Sequence, residues 1–402
     1  VKDLNKNNSV LASMQKGVIK VSFFHLTSKE KINFNNISFS EANINLNLND
    51  LKKYNNLFKN KKILNSMKIK KGKINFLEDE KLITTINNTN FNYKSSKNKD
   101  EAILKGLFLN DKIYLKLKND KKSKDLSKTI SLKLVDLNLR AKVNFFKKDI
   151  KNKESSKGNF LFKVNKNELM GFFDFDKENI KIKNANLKNT FLDGKLDGTI
   201  KFLPYFSYNL DINLNATNFT KLHSFFISFY ENNKINLFNI NKKLNGTINL
   251  STNKIYSKYN FIDSFESRLK FINGNILIDQ FLLNLKKIGA ADVSGLIKNE
   301  KKFTNFKFEG NIFIDNLKRF YSKFGIYNKN KKASNLFLKG NFDLINLNMR
   351  FDEIVGENKV KENDLAYIEK EFNNILLDEG FKSFFNFLRY KEFVKIILSE
   401  EK

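Results

Sequence analysis

The chain has 402 residues, a formal charge of +30, no cysteine and a single proline, Pro204. Without cysteine there is no disulfide framework, thiol nucleophile or Cys-type zinc site. A hydrophobic content of 41% can bury a sizeable apolar surface, and no Pro-, Gly- or Ser-rich linker cuts the chain, which favours one continuous repeat body over separate compact domains.

The positive charge is almost all lysine, with arginine only at positions 140, 268, 319, 350 and 389. Base readout and bidentate phosphate recognition rely on arginine. The lysines are therefore read as a solvated face suited to weak attraction to an anionic membrane surface, with no nucleic-acid partner. No run of apolar residues reaches the ~18 needed for a transmembrane helix. The chain begins at Val1, and a targeting or anchoring segment is expected upstream of it.

Along the chain, strand-type alternation is first clear at Ile44, Leu46 and Leu48, which run into Asp50-Leu51-Lys52-Lys53-Tyr54 and a short helix near 50–60 ending on Leu57 and Phe58. A phrase then recurs: apolar, spacer, Gly, spacer, apolar. Gly72 follows it on one side only, with Ile74 and Phe76. Full copies are Leu104-x-Gly106-x-Phe108, Leu196-x-Gly198-x-Ile200, Leu244-x-Gly246-x-Ile248, Ile272-x-Gly274-x-Ile276, Val293-x-Gly295-x-Ile297, Phe308-x-Gly310-x-Ile312 and Leu338-x-Gly340-x-Phe342. Even spacing is the strand period, so each glycine falls on the apolar face. A two-residue Asn-Gly hairpin breaks that parity. Two readings fit: a strand kinked at a glycine, or a three-residue bulged hairpin.

Between the phrases, alternation continues at 130–134, 137–143, 208–214 and 345–351, with Asn, Lys and Asp as polar partners. That is the pattern of an antiparallel sheet with one buried face. Phe, at 42 residues, recurs on the apolar phase, as at Phe172, Phe202, Phe271 and Phe308. Segments 95–100 and 119–125 read as hairpin loops and 147–157 as the connection between two β-regions. The strand-to-helix step repeats at Asn218 to Leu222, continued by Phe225, Phe226 and Phe229, and at Asn316 to Phe320. In each copy an Asn or Asp is positioned to cap the helix. Near the C-terminus, Leu365, Ile368, Phe372, Ile375 and Leu376 share a helical face. Gly380 interrupts, and a second helix is predicted over 381–398 with Phe384, Phe385, Leu388, Val394 and Ile397. The pair is read as a cap on the last strands in preference to a membrane-binding amphipathic helix.

Chemistry-bearing constellations are sparse. His25 and His223 lie far apart, and no nucleophile elbow, phosphate loop, zincin or dinucleotide motif is present. Asp174, Asp176 and Glu178 resemble the start of a calcium loop, but Asn179 stands where that loop needs glycine and the closing Glu is missing. No enzymatic activity, metal or cofactor is expected.

Residues 66–79 (SMKIKKGKINFLED), 179–222 (with Gly198 and Pro204) and 269–324 (around Asn273-Gly274-Asn275, Gly289, Gly295 and Gly310) together resemble the AsmA family of bacterial envelope proteins, which includes TamB-like β-groove proteins. The resemblance implies a mainly-β fold: an elongated, twisted antiparallel sheet forming an open, taco-like groove, with short capping helices and a C-terminal helical pair. It divides the chain into an N-terminal AsmA-like β-region at 1–150, a repeating β-groove at 151–360 and amphipathic helices at 361–402. It also implies a periplasmic protein anchored in the inner membrane by a helix upstream of Val1, with possible outer-membrane contact. Phospholipid acyl chains would be carried in outer-membrane biogenesis and maintenance. Candidate groove residues are Leu196, Ile200, Leu244, Ile248, Ile272, Ile276, Phe308, Ile312, Leu338 and Phe342. The competing reading is a structural or adhesion-like β-repeat with a closed core and no lipid. A third is a polysaccharide or nucleic-acid binder using the lysine face.

Overall fold

The computed structural model describes residues 2–3, 9–10, 12–21, 34–50, 64–78, 81–123, 126–146, 156–176, 178–202, 205–224, 240–257, 261–300, 303–326, 335–356, 358–380 and 386–399. The expected helix beyond Asp50, the 147–155 connection, His25, Pro204, Phe225, Phe226, Phe229, Phe384 and Phe385 lie outside these residues. The chain forms two compact units, 1–174 and 175–402.

In the first unit, β1 (Lys2–Asp3) pairs with β2 (Ser9–Val10), and β3 (Ala12–Ser13), β4 (Lys16–Val21), β5 (Phe34–Ser40) and β6 (Asn43–Asn47) lead into the main sheet. A meander follows: β7 (Leu64–Glu78), β8 (Lys81–Ser95), β9 (Lys99–Phe108), β10 (Asp111–Asp120), β11 (Leu126–Leu134), β12 (Leu139–Phe146) and β13 (Ser156–Val164), each antiparallel to the next. β14 (Asn167–Phe175) comes next in the chain. Alternation places the apolar residues in register, as in the row Phe91, Leu104, Leu115, Leu132, Ala141, Phe162. Ile74, Ile86 and Leu104 form its buried centre. The opposite phase is polar and laced across strands: Asn75 Nδ2 donates to Asn43 Oδ1 and Asn45 Oδ1 at 3.0 and 2.9 Å, and Thr85 Oγ1 donates to Asn75 Oδ1 at 3.1 Å.

The second unit contains β15 (Asn179–Lys188), β16 (Leu192–Lys201), β17 (Ser207–Asn218), β18 (Asn245–Thr252), β19 (Ile255–Tyr256), β20 (Ser264–Ile272), β21 (Asn275–Asn284), β22 (Gly289–Glu300), β23 (Phe303–Ile314), helix α1 (Leu317–Phe324), β24 (Asn335–Asp343), β25 (Asn348–Val355) and helices α2 (Glu362–Glu379) and α3 (Phe387–Ser399). Spatial order follows chain order from β15 to β25, except that β20 lies beside β18.

The sheets are not purely antiparallel as the alternation predicts. β5 and β6 pair with β7, and β17 pairs with β18 and β19, in parallel. Two of the three strand-to-helix steps account for this. After β6 and β17 the chain leaves through helical residues (48–50 and 219–224) and the next strand begins only at Leu64 and at Asn245, a separation in sequence that permits a parallel strand where a tight hairpin does not. The third step, through α1, returns antiparallel. Its expected cap is present: Asn316 Oδ1 accepts from Arg319 N at 3.0 Å, as Asn218 Oδ1 does from Lys221 N.

Beyond β25 the chain continues into α2, which packs on the last strands. Asn373 of α2 accepts from Met349 N (2.7 Å) and donates to Met349 O (2.8 Å), and Glu369 Oε2 accepts from Phe351 N (3.2 Å). Side chains of a helix thereby satisfy an edge that would otherwise template pairing. Ile368, Phe372 and Leu376 of α2 and Phe393 and Ile397 of α3 form one core with Phe342, Met349, Phe351 and Ile354. The C-terminal helices are thus a packed cap, although Leu388, expected on the apolar face, is exposed. No described helix is long and apolar enough to cross a membrane.

Two local features of the first unit generate tests. The two-residue turn between β9 and β10 puts both Leu109 (φ 50°) and Asn110 (φ 66°) in the left-handed region. Leu109 is 76% exposed there and gains no burial for its strain. Leu109→Asn should raise stability by about 0.5–1 kcal/mol in chemical denaturation; an unchanged midpoint would remove the strain argument. At the other ends of these strands, Asp100 is 8% exposed and accepts from Ser95 Oγ (2.6 Å), Lys121 Nζ (2.7 Å) and Asn119 Nδ2 (3.1 Å). Burial pushes its carboxyl up, but these hydrogen bonds and the Lys121 charge together hold it below the usual carboxylate range. A depressed folded pKa stabilises above the unfolded value of about 3.9 and the benefit is lost as pH falls through the folded value. Asp100→Asn should flatten the acid limb of the stability profile below about pH 4, read by urea denaturation at successive pH values.

Candidate apolar lane

Register turns the alternation of the second unit into continuous apolar rows. One runs Ile182, Gly198, Leu210, Ile248, Leu269, Ile278, Gly295, Phe308, Gly340, Phe351, each residue directly opposite the next. Beside it runs Ile180, Ile200, Tyr208, Gly246, Phe271, Ile276, Ile297, Phe306, Phe342, Met349. On its other flank lie Ala185, Leu196, Ile212, Leu250, Ser267, Phe281, Val293, Gly310, Leu338, Ile354. Extra residues in β15, β17, β21 and β25 shift the pairing locally while the row residues stay opposite one another.

The glycines of the recurring phrase have a specific role in these rows. Gly340 lies between Phe308 and Phe351, whose rings meet edge to face at 6.4 Å and 89°. Gly246 lies between Tyr208 and Phe271, with centroids 5.9 Å apart. The missing side chain lets aromatic groups from both neighbouring strands meet across the middle one. A Cβ at Gly340 would stand 2.3 Å from Arg350 O, and one at Gly246 would stand 2.6 Å from the Tyr208 ring. Gly106, Gly198, Gly295, Gly310 and Gly340 all sit inside strands and not in hairpin turns.

Gly274 is the exception. With Asn273 (φ 51°) it forms a two-residue hairpin at φ 86°. Such a turn sends Ile272 and Ile276 to opposite faces: Ile276 is in a row opposite Phe271, whereas Ile272 is 48% exposed on the other face. Leu244 precedes β18 and is 41% exposed. Phe172 is likewise exposed, and its neighbour Phe173 is buried instead.

The other groove candidates fall into two environments. Phe308, Ile312, Leu338 and Phe342 belong to the core built with α2 and α3, Phe342 fully so at 3% exposure. Leu196, Ile200, Ile248 and Ile276 lie on β16, β18 and β21; Leu196 is buried and the other three are half-buried. Leu210, Ile212, Leu250, Leu269 and Ile278 share their face and are also half-buried. These residues were legible as alternating apolar positions but carry no glycine phrase to single them out. Burial pushes the Tyr208 phenol up, as expected among apolar neighbours.

The acidic run is structural. Asp176 Oδ1 accepts from Glu178 N (2.8 Å) and Asn179 N (2.7 Å), tying the turn that opens β15. These amides hold its carboxyl below the usual range. Among the described residues no group of three or more His, Cys, Asp or Glu is arranged to hold a metal. No protein-family model, curated protein or solved structure matches the chain significantly.

The close approach at Gly340 predicts that Gly340→Ala destabilises by about 1–3 kcal/mol. Thermal unfolding provides the measurement, with Gly310→Ala as control because its Cβ meets nothing closer than 3.7 Å. Equal effects at the two sites would remove the close approach to the Arg350 backbone as the reason for glycine at 340.

Proposed function

We propose that this is a non-enzymatic lipid-handling protein of the AsmA type, in which the apolar face of β15–β21 forms an open groove for phospholipid acyl chains. Supporting this reading is a single observation: three adjacent rows, apolar or glycine except at Ser267, run across ten strands, and their side chains on β17, β18 and β21 remain half-buried. An apolar face of this extent requires cover. Each lipid methylene it takes from water is worth about 0.8 kcal/mol, so a chain can slide along it in small steps. The cellular setting that goes with this reading is the periplasm, with an inner-membrane anchor upstream of Val1, outer-membrane contact and a part in outer-membrane maintenance.

A second reading, a closed β-repeat with no lipid, draws on the other end of the same face. There α2 and α3 fill the space over β24 and β25 with Phe372, Leu376, Phe393 and Ile397. On the lipid reading the lane stops where these helices begin.

Native mass spectrometry of the purified chain, followed by lipid extraction, separates the two. The lipid reading expects co-purifying phospholipid that is lost in a folded Ile276→Asp protein. Phe342→Asp, placing a carboxylate in packed core, should cost roughly 3 kcal/mol or more of stability on either reading. A lipid-free wild type that unfolds cooperatively would leave the closed repeat.

A further inference from the structure

A cavity of about 1040 Å³ opens in the second unit between the β21–β22 turn, α1 and the residues preceding β20. Among the described residues, its walls carry Lys286, Lys287, Lys318, Arg319 and Lys323 against a single carboxylate, Asp263. The chain as a whole has 73 basic and 43 acidic residues, so five to one is a local concentration of positive charge, not the average composition.

The fold builds this arrangement from two amphipathic pieces. In the turn, Leu285 and Ile288 are buried at 4% and 8%, and Ile288 N donates to Leu285 O at 3.2 Å. Inserting these two side chains leaves Lys286 and Lys287 at the turn's tip. In α1, Phe320 and Phe324 are buried in the same cluster as Leu285 and Ile288. The 3.6-residue period then puts Lys318, Arg319, Ser322 and Lys323 on the opposite face, toward the cavity. Ile288 O also accepts from both Asp315 N (2.9 Å) and Asn316 N (3.2 Å), clamping the turn to the start of α1. One apolar cluster therefore sets the spacing of all five cations.

Phe261 and Ile288 add an apolar wall, and Phe261 packs edge to face on Phe324 at 5.7 Å. Asn284, Asn316 and Ser322 supply neutral polar groups. Leu283 and Ala291, which face each other across β21 and β22 on the apolar side of the sheet, belong to the same packed cluster as Ile288.

We propose that this cavity binds the phosphate group of an anionic glycerophospholipid. Clustered cations meet the phosphate charge, and the apolar wall meets the glycerol ester beside it. The inference rests on the lipid reading above and adds the headgroup class that the lane itself does not select.

The test is isothermal titration calorimetry of the full chain with dihexanoylphosphatidylglycerol below its micelle concentration, with inorganic phosphate, and with the phosphate-free dihexanoylglycerol. Tightest binding is expected for the phospholipid, weakening with added salt. Lys287→Glu with Lys318→Glu, both at exposed positions, should reduce that affinity roughly tenfold or more. Lys181→Glu with Lys188→Glu, exposed on β15, makes the same change in net charge and should leave it nearly unaltered. Equal losses in the two pairs would reduce the effect to net charge and overturn the site. Inorganic phosphate binding as tightly as the phospholipid would overturn the lipid assignment in favour of a free-phosphate site. A wild type that carries phospholipid in native mass spectra, yet binds no probe through these lysines, would overturn the cavity and leave the lane standing. Absence of both would remove the two together.

Discussion

Register is the constraint on which the second unit depends. Side chains alternate faces along every strand, so a slip of one residue in any ladder would turn its apolar set to water and its lysines inward. From Ile182 to Phe351 the rows keep phase through ten strands, two of them paired in parallel and several of them bulged. The polar face reinforces this phase. Asn249 Nδ2 donates to Asp211 Oδ1 at 2.7 Å and Ser251 Oγ to Asn213 Oδ1 at 2.8 Å across the parallel pair. Lys270–Asp279 and Lys339–Glu309 contacts, both 2.7 Å, tie antiparallel neighbours. The latter contacts are solvent-exposed, so their contribution is to choice of register more than to stability.

Glycine and phenylalanine act as a pair within those rows. A glycine alone weakens a strand because it costs backbone entropy and packs nothing. With aromatic residues opposite it on both sides, the gap becomes the place where the two rings meet. The arrangement recurs in the first unit at Gly158. There Phe145 lies opposite the glycine, and the Phe145 and Phe173 rings meet at 5.3 Å and 81°. A chain poor in glycine and rich in phenylalanine thus uses the first to arrange the second.

Covering the apolar face is the complementary problem, and the chain treats its parts differently. Over β24 and β25 the cover is α2 and α3, whose Asn373 and Glu369 also satisfy the exposed strand edge. At the strand ends near β22 the cover is α1, which buries Phe320 and Phe324 and turns its cations outward. The face of β17, β18 and β21 keeps its half-buried side chains. On the proposed lipid reading, acyl chains would cover this surface and the cationic cavity beside α1 would meet their headgroups.

The alternation of apolar with Asn, Lys and Asp residues determined by itself that the protein is mainly β with one apolar face, because the strand period is local geometry. Helix caps at Asn218 and Asn316 and the apolar stripe Ile368, Phe372, Leu376 were legible for the same reason: each depends on residues within a few positions of one another. Partnership between distant strands was not. The parallel pairing of β17 with β18 joins segments separated by many residues of sequence, which no local pattern encodes. Ile272 was misplaced although its signal was present, since Asn273-Gly274 is a hairpin dipeptide that interrupts the even spacing. Only tertiary structure separated Phe342, packed under α2 and α3, from Ile276, half-buried on the same row. Whether an apolar residue is core or surface depends on what arrives over it from elsewhere in the chain, and two residues of the same periodicity carry no record of that.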